Sequence, residues 1–419
     1  MCTCCQKSRE SRFFEAVKTL YRLDRDPVHR MRVYKIHDEN SMPFNFLVHK
    51  FDLKNTRLFE AKLPALPDGA IELQIERFAF TANNITYAAF GDAMHYWHFY
   101  PVSHLSGLAD AQNWGRIPVW GFASVTLSRF SGISTGARVY GYWPMSSHVQ
   151  LLPTRVQDSG FSDGAQHRTA LHTVYNQYQR CSKDPLFNAA TQDLQAVLSP
   201  LFTTAWLIDH FLADQQFFGA HSAANHGKAL VMLSSASSKT VMATAFCLAQ
   251  RGEVEVVGFT SGANRTFCEG LGCYHRVLTY EALSTLDANR HCVYVDLAGN
   301  AALRVAIHTH FVNLKYNCSV GASHVNDLGA PGSAKNLPGP KATLFFAPAQ
   351  GQKRGQEWGA EGLRARVRQT WDLFLQRVTD PSKPWLQMQH HHGPIGMGDA
   401  YAKVLSGQDL PSAGRVVVL

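Results

Sequence analysis

A run of hydroxyl-bearing residues follows a short apolar segment near the middle of the chain. The text KALVM continues as LSSASSKT, and an apolar stretch with helical spacing comes next. Free backbone N–H groups at the start of a helix attract phosphate oxygens, and small side chains let a phosphate come close. The sequence therefore predicts a phosphate-binding turn made of Ser235, Ser237, Ser238, Lys239 and Thr240.

Two interpretations of this turn stay open. A dinucleotide-binding turn usually carries glycines in the spacing G-x-G-x-x-G, which is absent here, and Ser235, Ser238 and Val241 stand in the turn instead of glycines. The alternative is a Ser-rich helix cap that holds no ligand, because Ser is a favoured cap residue. If a phosphate does bind, Lys239 is the cation nearest to it in sequence.

The next apolar segment, VEVVGFTSGANRTF, predicts a second buried strand and the turn that follows it. An acidic residue in that turn would accept hydrogen bonds from the ribose hydroxyls of NAD, and none is present. Thr260, Ser261 and Arg265 instead suit a 2′-phosphate, so a bound nucleotide is expected to be NADPH rather than NADH. The alternative for Arg265 is a solvated helix residue.

Other chemistries find less support in the residue pattern. No G-x-S-x-G nucleophile turn is present. Asp296 and His324 follow predicted strands, where open α/β sheets place functional groups. We interpret His324 as a substrate-pocket candidate, with a structural histidine as the alternative. The run of histidines at 390–392 is expected on the surface, and the sequence predicts no metal site, since no set of three zinc ligands stands out.

From Phe44 onward the pattern predicts a β-rich half. AIELQIERFAF alternates at period two, and Gly, Ser and Pro punctuate the strand-like runs that follow, which favours a compact, barrel-like assembly. The stretch QHRTALHTVYNQYQR has helical spacing and predicts a helical insertion near 160–195. The following apolar stretch predicts a helix that begins near Pro200 and stops at Gly219.

In the second half, strand-like and helix-like segments alternate. This alternation implies βαβ units and a Rossmann-type, doubly wound parallel sheet, so the fold class is α/β. The predicted domains are an N-terminal extension over 1–43, a β-rich catalytic domain over 44–200 plus 345–419, and a cofactor domain over 201–344.

Length and composition restrict the function class. With 419 residues, 45% of them hydrophobic, two domains are expected. The net charge of +8 is spread along the chain without a nucleic-acid-binding signature, so no nucleic-acid partner is predicted. No stretch resembles the roughly 20 apolar residues of a membrane helix, so no membrane partner is predicted either. The nine cysteines are scattered, several inside apolar runs, which favours reduced thiols and a cytoplasmic location.

The order of the predicted strands and helices along the chain resembles that of the medium-chain dehydrogenase/reductase superfamily, and within it the zinc-independent, quinone oxidoreductase-like branch. The segments STGARVYGYWPMSSHVQLLP, LFTTAW and GDAYAKVLSGQDLPSAGRVVVL carry that likeness. The strings FAFTANNITYAAFGDAMHYW, LSSASSKT, GLGCYHRVLTYEAL, VYVDLAGN, FFAPAQ and WGAEG are similar to those of an uncharacterised family known only as a domain of unknown function. The resemblance spans nearly everything after Phe44 and implies a GroES-like β-rich domain beside the Rossmann-type one.

The resemblance also implies where the site lies. The segment NNITYAAFGDAMHYW would face the nicotinamide, with Asn84 and Tyr87 as the catalytic polar groups. Tyr96 and Trp97 would form walls of the substrate pocket. The alternative for Tyr87 is core packing, which is common for a tyrosine among aromatic residues. The residues expected next to the nicotinamide are Thr204, Gly299, Asn300, Gly321 and Ala322.

These features together predict a zinc-independent, NADPH-dependent oxidoreductase that reduces a carbonyl or an α,β-unsaturated, quinone-like carbonyl. Zinc alcohol dehydrogenases supply a Cys after the first strands and a GHE string, and this chain has TANNITYAAFG and VWGFASV at those places. The alternative is a dinucleotide-free binding module or a cofactor-independent lyase on the same fold. Relatives commonly dimerise, so a homodimer that binds a small-molecule substrate is expected.

Overall fold

The computed structural model describes residues 42–223, 226–320 and 337–419 of the chain. The predicted extension over 1–43 therefore lies outside the described residues, except for Met42 and Pro43. The strands, in chain order, are β1 (Phe44–His49), β2 (Asp52–Glu60), β3 (Ile71–Ala79), β4 (Trp114–Gly115), β5 (Pro118–Ser128), β6 (Arg138–Pro144), β7 (His148–Leu151), β8 (Pro153–Gln157), β9 (Gly160–Asp163), β10 (Gln177–Arg180), β11 (Ala229–Leu233), β12 (Val254–Thr260), β13 (Arg276–Thr279), β14 (Cys292–Asp296), β15 (Leu314–Val320), β16 (Ala342–Phe345), β17 (Gln387–His392) and β18 (Ala413–Val418).

The α-helices are joined to these strands by turns and short 3-10 helices. In chain order they are α1 (Ala82–Ala89), α2 (Gln192–Asp214), α3 (Lys239–Ala249), α4 (Arg265–Leu271), α5 (Ala301–His310), α6 (Ala347–Val378) and α7 (Gly393–Leu405).

The β-rich half is built from two sheets with mostly antiparallel pairing. One has the strand order β2-β1-β4, and the other has the order β17-β18-β3-β5-β6-β10-β9-β8, with β7 also paired to β3. In β3 the side chains of Ile71, Leu73 and Ile75 are buried, while Glu72 and Gln74 between them reach toward solvent. This alternation is what a sheet with one face on the core requires, and it confirms the strand predicted from the sequence.

Residues 160–195 do not form the predicted helical insertion. The segment contains β9 and β10, with 3-10 turns over Gln166–Arg168 and Thr173–Asn176 between them. Tyr178 pairs with Phe161 across the two strands, and their rings stack with centroids 5.4 Å apart. The helix prediction was wrong because cross-strand aromatic pairing, which the spacing does not reveal, fixes these residues as strands.

The second half is the predicted parallel sheet, in the order β13-β12-β11-β14-β15-β16. The central strand β11 is buried along its whole length. Its side chains alternate between two apolar cores: Val231 and Leu233 pack in the core that holds α2 and α3, and Leu230 and Met232 pack in the core that holds α5. Helices therefore cover both faces of the sheet, which explains the continuous apolar run ALVML.

Helix α2 is longer than predicted and crosses the boundary expected at 200/201. It begins at Gln192, well before Pro200, and ends at Asp214, before Gly219. By length and composition it could cross a membrane, although no membrane helix was predicted from the sequence. About two thirds of its most apolar window (67%) is buried, as is usual for a core helix of a globular protein.

Helix α6, predicted to belong with the β-rich half, packs on α2 and α3 instead. The ring of Phe202 on α2 lies 5.0 Å from that of Phe374 and 5.1 Å from that of Trp371, measured between centroids. The helix is kinked at Gly359, whose φ of 71° lies in the left-handed region that glycine favours. The aromatic residues of the second part of α6 therefore join the core of the parallel sheet.

Candidate active site

A cleft of about 2700 Å³ opens between the β-rich half and the parallel sheet. Its walls come from α1, β6 and β10 on one side, and from α2, α6 and the turns after β11 and β14 on the other. Small-molecule sites usually measure about 300–1000 Å³, so this cleft has room for more than one small ligand.

The turn after β11 has the conformation that a glycine would give it. Ser235 has a φ of 57°, and it stands at the first glycine position of the usual fingerprint. The Ser238 hydroxyl caps α3 by accepting a hydrogen bond from the N–H of Val241 at 3.4 Å. Ser235, Ser238 and Thr240 line the cleft at the start of α3, where the first N–H groups have no partner within the helix. The structure thus brings together three of the residues predicted for the phosphate turn.

A buried carboxylate ties this turn to the one after β14. The Ser234 hydroxyl donates to Asp296 Oδ1 at 3.0 Å and accepts from the N–H of Leu297 at 2.9 Å. The same Oδ1 accepts from the N–H of Gly299 at 3.1 Å, and the guanidinium of Arg304 lies 3.3 Å from Oδ2. Asp296 is completely buried, so it lies beneath the cleft and holds the two turns in one arrangement.

Three of the predicted nicotinamide neighbours line the cleft. Thr204 lies on α2, where its hydroxyl donates to the carbonyl of Pro200 at 3.1 Å. Gly299 has a φ of 64° and precedes Asn300, whose side chain caps α5 by accepting from the N–H of Leu303 at 3.0 Å. The turn after β14 therefore presents backbone and small side chains to the cleft.

Three further predicted residues, Gly321, Ala322 and His324, fall in the segment 321–336, which lies outside the described residues. Their predicted roles at the nicotinamide and in the substrate pocket stay predictions. The residue that precedes them, Val320, ends β15 and lines the cleft.

Two members of the predicted phosphate turn are directed elsewhere. The Lys239 ammonium donates to the carbonyl of Pro411 at 3.4 Å. Burial lowers the pKa of Lys239 to about 8, while the nearby carboxylate of Asp409 acts in the opposite direction. The Ser237 hydroxyl accepts from the Asn264 amide at 3.1 Å. Neither side chain lines the cleft, so the cation expected at a phosphate contacts the loop before β18 instead.

The residues predicted for a 2′-phosphate stand at the end of β12, outside the cleft lining. Thr260 is buried at the strand end, next to the Cys268 thiol, and Ser261 is exposed in the following turn. The Arg265 guanidinium donates to the Glu269 carboxylate at 2.8 Å on the surface of α4. Arg265 is therefore paired with a carboxylate and is not simply solvated, as the alternative interpretation expected. Its guanidinium nevertheless lies at the surface.

The phenol of Tyr87 is the catalytic candidate that lines the cleft. The side chain is 6% exposed, and its oxygen accepts a hydrogen bond from Trp120 Nε1 at 3.5 Å. A phenol that accepts a hydrogen bond can still donate its own proton to a ligand. Burial, and then the neighbouring Tyr175, raise the pKa of Tyr87, so this proton stays in place at neutral pH.

Tyr96 also lines the cleft, as part of an aromatic wall. Its ring lies 4.5 Å from that of Tyr87, and its hydroxyl is 3.5 Å from the hydroxyl of Tyr175. Burial raises the pKa of Tyr96 to about 12. The wall is therefore apolar in its ring faces and offers only neutral hydroxyl groups.

Asn84 and Trp97 are not brought into this cleft. The Asn84 side chain forms the capping box of α1, accepting from the N–H of Thr81 at 2.8 Å and donating to the carbonyl of Pro118 at 3.0 Å. Trp97 is buried against Gly91 and Gly115, where any side chain would overlap with the indole. Asn84 caps the start of α1, which carries Tyr87, and Trp97 packs against the segment that follows α1; neither residue lines the cleft.

Part of the cleft wall was not predicted from the sequence. Tyr175 lies in the stretch that was predicted as a helical insertion, and Tyr140 lies in a segment whose resemblance indicated only the fold. Charged residues at the far end of the cleft, such as Asp184 and Arg364, do not belong to a local sequence motif. They come together only in the fold, because segments distant in sequence form that end of the cleft. Lining residues that were not predicted include Trp120, Tyr140, Tyr175, Asp184, Ser199, Tyr280 and Arg364.

No group of three His, Cys, Asp or Glu side chains in the described part of the chain is arranged to hold a metal ion. The histidines at 390–392 lie on β17, where His390 contacts Asp193 at 2.7 Å and His391 contacts Arg415 at 3.0 Å. The side chains of His390 and His391 therefore have polar partners on the protein.

Comparisons with known proteins bear on the fold and the family. The family described as "Protein of unknown function (DUF2855)" matches residues 78–409. No curated protein matches the chain. CurA from Vibrio vulnificus, solved in complex with NADPH, is 12% identical with a TM-score of 0.54 over 90% of this chain and 98% of CurA. The CurF ER cyclopropanase from the curacin A biosynthetic pathway is 14% identical with a TM-score of 0.51, over 90% of this chain and 99% of CurF.

Both structural likenesses extend over the β-rich half and the parallel sheet. They confirm the predicted fold of the medium-chain dehydrogenase/reductases, and at this level of identity they show the fold alone. The family match covers most of the chain and confirms the likeness that the quoted strings indicated. The chain therefore belongs to the DUF2855 family of proteins of unknown function.

Proposed function

We propose that this protein is an NADPH-dependent oxidoreductase that reduces a carbonyl or an α,β-unsaturated, quinone-like carbonyl in the cleft without zinc. One observation carries the proposal: a protonated, hydrogen-bonding phenol and a glycine-like turn at a helix start line the same cleft, from opposite halves of the molecule. Hydride transfer requires a cofactor and a hydrogen-bond donor held against one substrate, and an interdomain cleft supplies that arrangement.

The residues around the turn after β11 fit a dinucleotide. Ser235 gives the backbone its left-handed bend, and Ser238 and Thr240 would offer hydroxyls beside the free N–H groups of α3 to a pyrophosphate. Thr204 and Asn300 would lie next to the nicotinamide. When bound, this cofactor supplies the hydride. The NADPH complex of CurA, which has the same fold, supports the choice of nucleotide.

Tyr87 would act on the substrate oxygen. Its phenol would donate a hydrogen bond to the carbonyl, withdrawing electron density and stabilising the negative charge that develops there during reduction. Because burial raises the pKa of Tyr87, the phenol stays a hydrogen-bond donor across the neutral range. The rings of Tyr96 and Trp120 would exclude water from the reacting carbon.

Titration with NADPH and NADH, followed by NADPH oxidation with enones and quinones, tests the proposal. Tyr87→Phe is expected to lower kcat by about 100-fold and to leave NADPH affinity unchanged. Tyr142→Phe is the control, because the Tyr142 hydroxyl is buried like that of Tyr87 but does not line the cleft and has no hydrogen-bond partner among the described residues. A Tyr87→Phe variant as active as wild type would remove Tyr87 from the mechanism.

The second candidate is a dinucleotide-free binding module or a cofactor-independent lyase. It is favoured by the positions of Lys239 and Arg265, since neither predicted cation lines the cleft. The absence of binding heat with either nucleotide would select this candidate over the reductase.

We also propose the other features expected from the sequence. The protein would work in the cytoplasm, which agrees with the buried free thiols at positions such as Cys247 and Cys318. It would bind no nucleic acid and no membrane, and it would form a homodimer. Sedimentation of the purified protein tests the oligomeric state directly.

A further inference from the structure

One end of the cleft is not used by the proposed reaction. It lies where β6, the segment that precedes α2, the first half of α2 and the second part of α6 meet. Polar groups of Tyr140, Asp184 and Ser199 line this end, together with the exposed Arg364. We refer to Tyr140, Asp184 and Ser199 as the polar subsite.

The hydroxyl of Tyr140 is buried without a hydrogen-bond partner among the described residues. The residue is 7% exposed, and its ring packs between Trp120, with centroids 5.8 Å apart, and Phe122 at 5.2 Å. Burial raises the pKa of Tyr140, and the nearby Ser199 hydroxyl acts in the opposite direction, although the Tyr140 hydroxyl has no hydrogen-bond partner among the described residues. A buried hydroxyl that lacks a partner is unfavourable in the free protein, and a ligand that supplies an acceptor removes this penalty.

Asp184 supplies the opposite hydrogen-bonding role in the polar subsite. Its Oδ1 accepts from the N–H of Leu186 at 2.9 Å, and its Oδ2 accepts from the Gln195 amide at 2.6 Å. Each carboxylate oxygen has a second lone pair, so Asp184 can accept a further hydrogen bond. The Asp184 carboxylate disfavours a ligand carboxylate or phosphate, while the guanidinium of Arg364 acts in the opposite direction. A ligand carbonyl would satisfy only Tyr140.

Trp120 links the polar subsite to the proposed reacting centre. Its indole N–H donates to Tyr87, and its ring faces that of Tyr140 at an interplanar angle of 22°. Trp120 thus contacts both phenols, with its N–H edge at Tyr87 and one ring face against Tyr140. A substrate that reaches both must carry its second polar group several bonds from the reacting carbon.

We infer that the polar subsite recognises a hydroxyl group of the substrate, remote from the carbonyl, and that the substrates are therefore hydroxylated enones or quinones. The ligand hydroxyl accepts from Tyr140 and donates to Asp184 or Ser199, which uses both of its hydrogen-bonding roles. That the bound hydroxyl belongs to a substrate rests on the proposed function. Binding of a hydroxyl group by the polar subsite does not.

The test compares two straight-chain enones, oct-1-en-3-one and its 8-hydroxy derivative, whose reacting groups are the same. For wild type, kcat/KM is expected to favour the hydroxylated enone by about 10-fold, with the difference in KM. Tyr140→Phe is expected to remove this preference, and Tyr142→Phe, on the same strand but outside the cleft lining, is expected to keep it. Equal kcat/KM for the two enones with wild type would overturn the inference.

A binding experiment separates this inference from the proposed reductase activity. Quenching of tryptophan fluorescence, to which Trp120 contributes, is followed while octane-1,8-diol or octan-1-ol is added to the nucleotide-free protein. Both compounds carry a hydroxyl, so oct-1-ene serves as the reference without one. Tighter binding of the alcohols than of the alkene, weakened about 10-fold in Tyr140→Phe, supports the subsite even if no enone is reduced. Binding of the alcohols that is unchanged in Tyr140→Phe would overturn it. Because the buried Tyr140 hydroxyl has no partner, the Phe variant is expected to have a Tm at or above that of wild type.

Discussion

The turn after β11 and the turn after β12 follow neighbouring strands of one sheet, but they differ in how far they are preorganised to bind a ligand. In the first turn Ser235 already has the left-handed backbone, and the Ser234 hydroxyl ties this turn to Asp296 and to the turn after β14. In the second turn Arg265 is paired with Glu269 on the surface, and no predicted residue lines the cleft.

This difference separates two parts of nucleotide recognition. A preorganised backbone turn loses little entropy on binding, so it can contribute affinity for any pyrophosphate. A surface arginine must exchange one anionic partner for another, so its net contribution is small. We therefore expect affinity to depend on the turn after β11, and the choice between NADPH and NADH to depend weakly on the turn after β12.

Replacing Ser235 by Val is expected to have the largest effect. A β-branched side chain at a φ of 57° should destabilise the fold by about 2 kcal/mol and weaken NADPH binding by at least about 10-fold. Ser235→Gly keeps the backbone conformation and is expected to retain both stability and binding. Urea denaturation and calorimetric titration measure the two effects. Wild-type affinity in the Val variant would show that the nucleotide does not use this turn.

A smaller effect is expected for Lys239, which starts α3 but turns away from the cleft. Burial holds its folded-state pKa at about 8, below the value near 10.4 of an unfolded lysine, so the unfolded chain binds more protons between these values. The contribution of this group to stability therefore rises as pH increases from 8 toward 10. Lys239→Met is expected to be more stable than wild type by about 1–2 kcal/mol at pH 7, and the difference should shrink by pH 9.5.

Urea denaturation of both proteins from pH 7 to 9.5 checks this expectation. Subtracting one curve from the other removes the contributions of groups that the two proteins share, such as the buried tyrosines. NADPH affinity at pH 7 should be equal in the two proteins, because the ammonium contacts Pro411 rather than the cleft. A large loss of NADPH affinity in Lys239→Met would restore the phosphate-binding role predicted from the sequence.

The two turns also show which features the sequence can predict. The strands and helices follow from local periodicity, as the alternation in β3 and the apolar run of β11 illustrate, and the positions of Ser235 and Asn300 follow from their places after strands. The direction of the Lys239 side chain does not follow from the local sequence, because Asp409 and Pro411 come from the far end of the chain. The same reason hides the convergence of Tyr140, Asp184 and Ser199 on one end of the cleft, which no local motif records.

The smallest effect is expected at the second turn. Arg265→Ala should weaken NADPH binding by about 5-fold and leave NADH binding unchanged, because only the 2′-phosphate would draw the guanidinium from Glu269. Glu269→Gln frees the same guanidinium and is expected to shift the preference a few-fold toward NADPH. Since the two side chains are 52% and 47% exposed, either change should alter stability by no more than about 0.5 kcal/mol. Titrations with both nucleotides at low and high salt measure the preference. An equal loss for NADPH and NADH would mean that Arg265 contacts a part shared by both nucleotides, and the contrast between the two turns would then disappear.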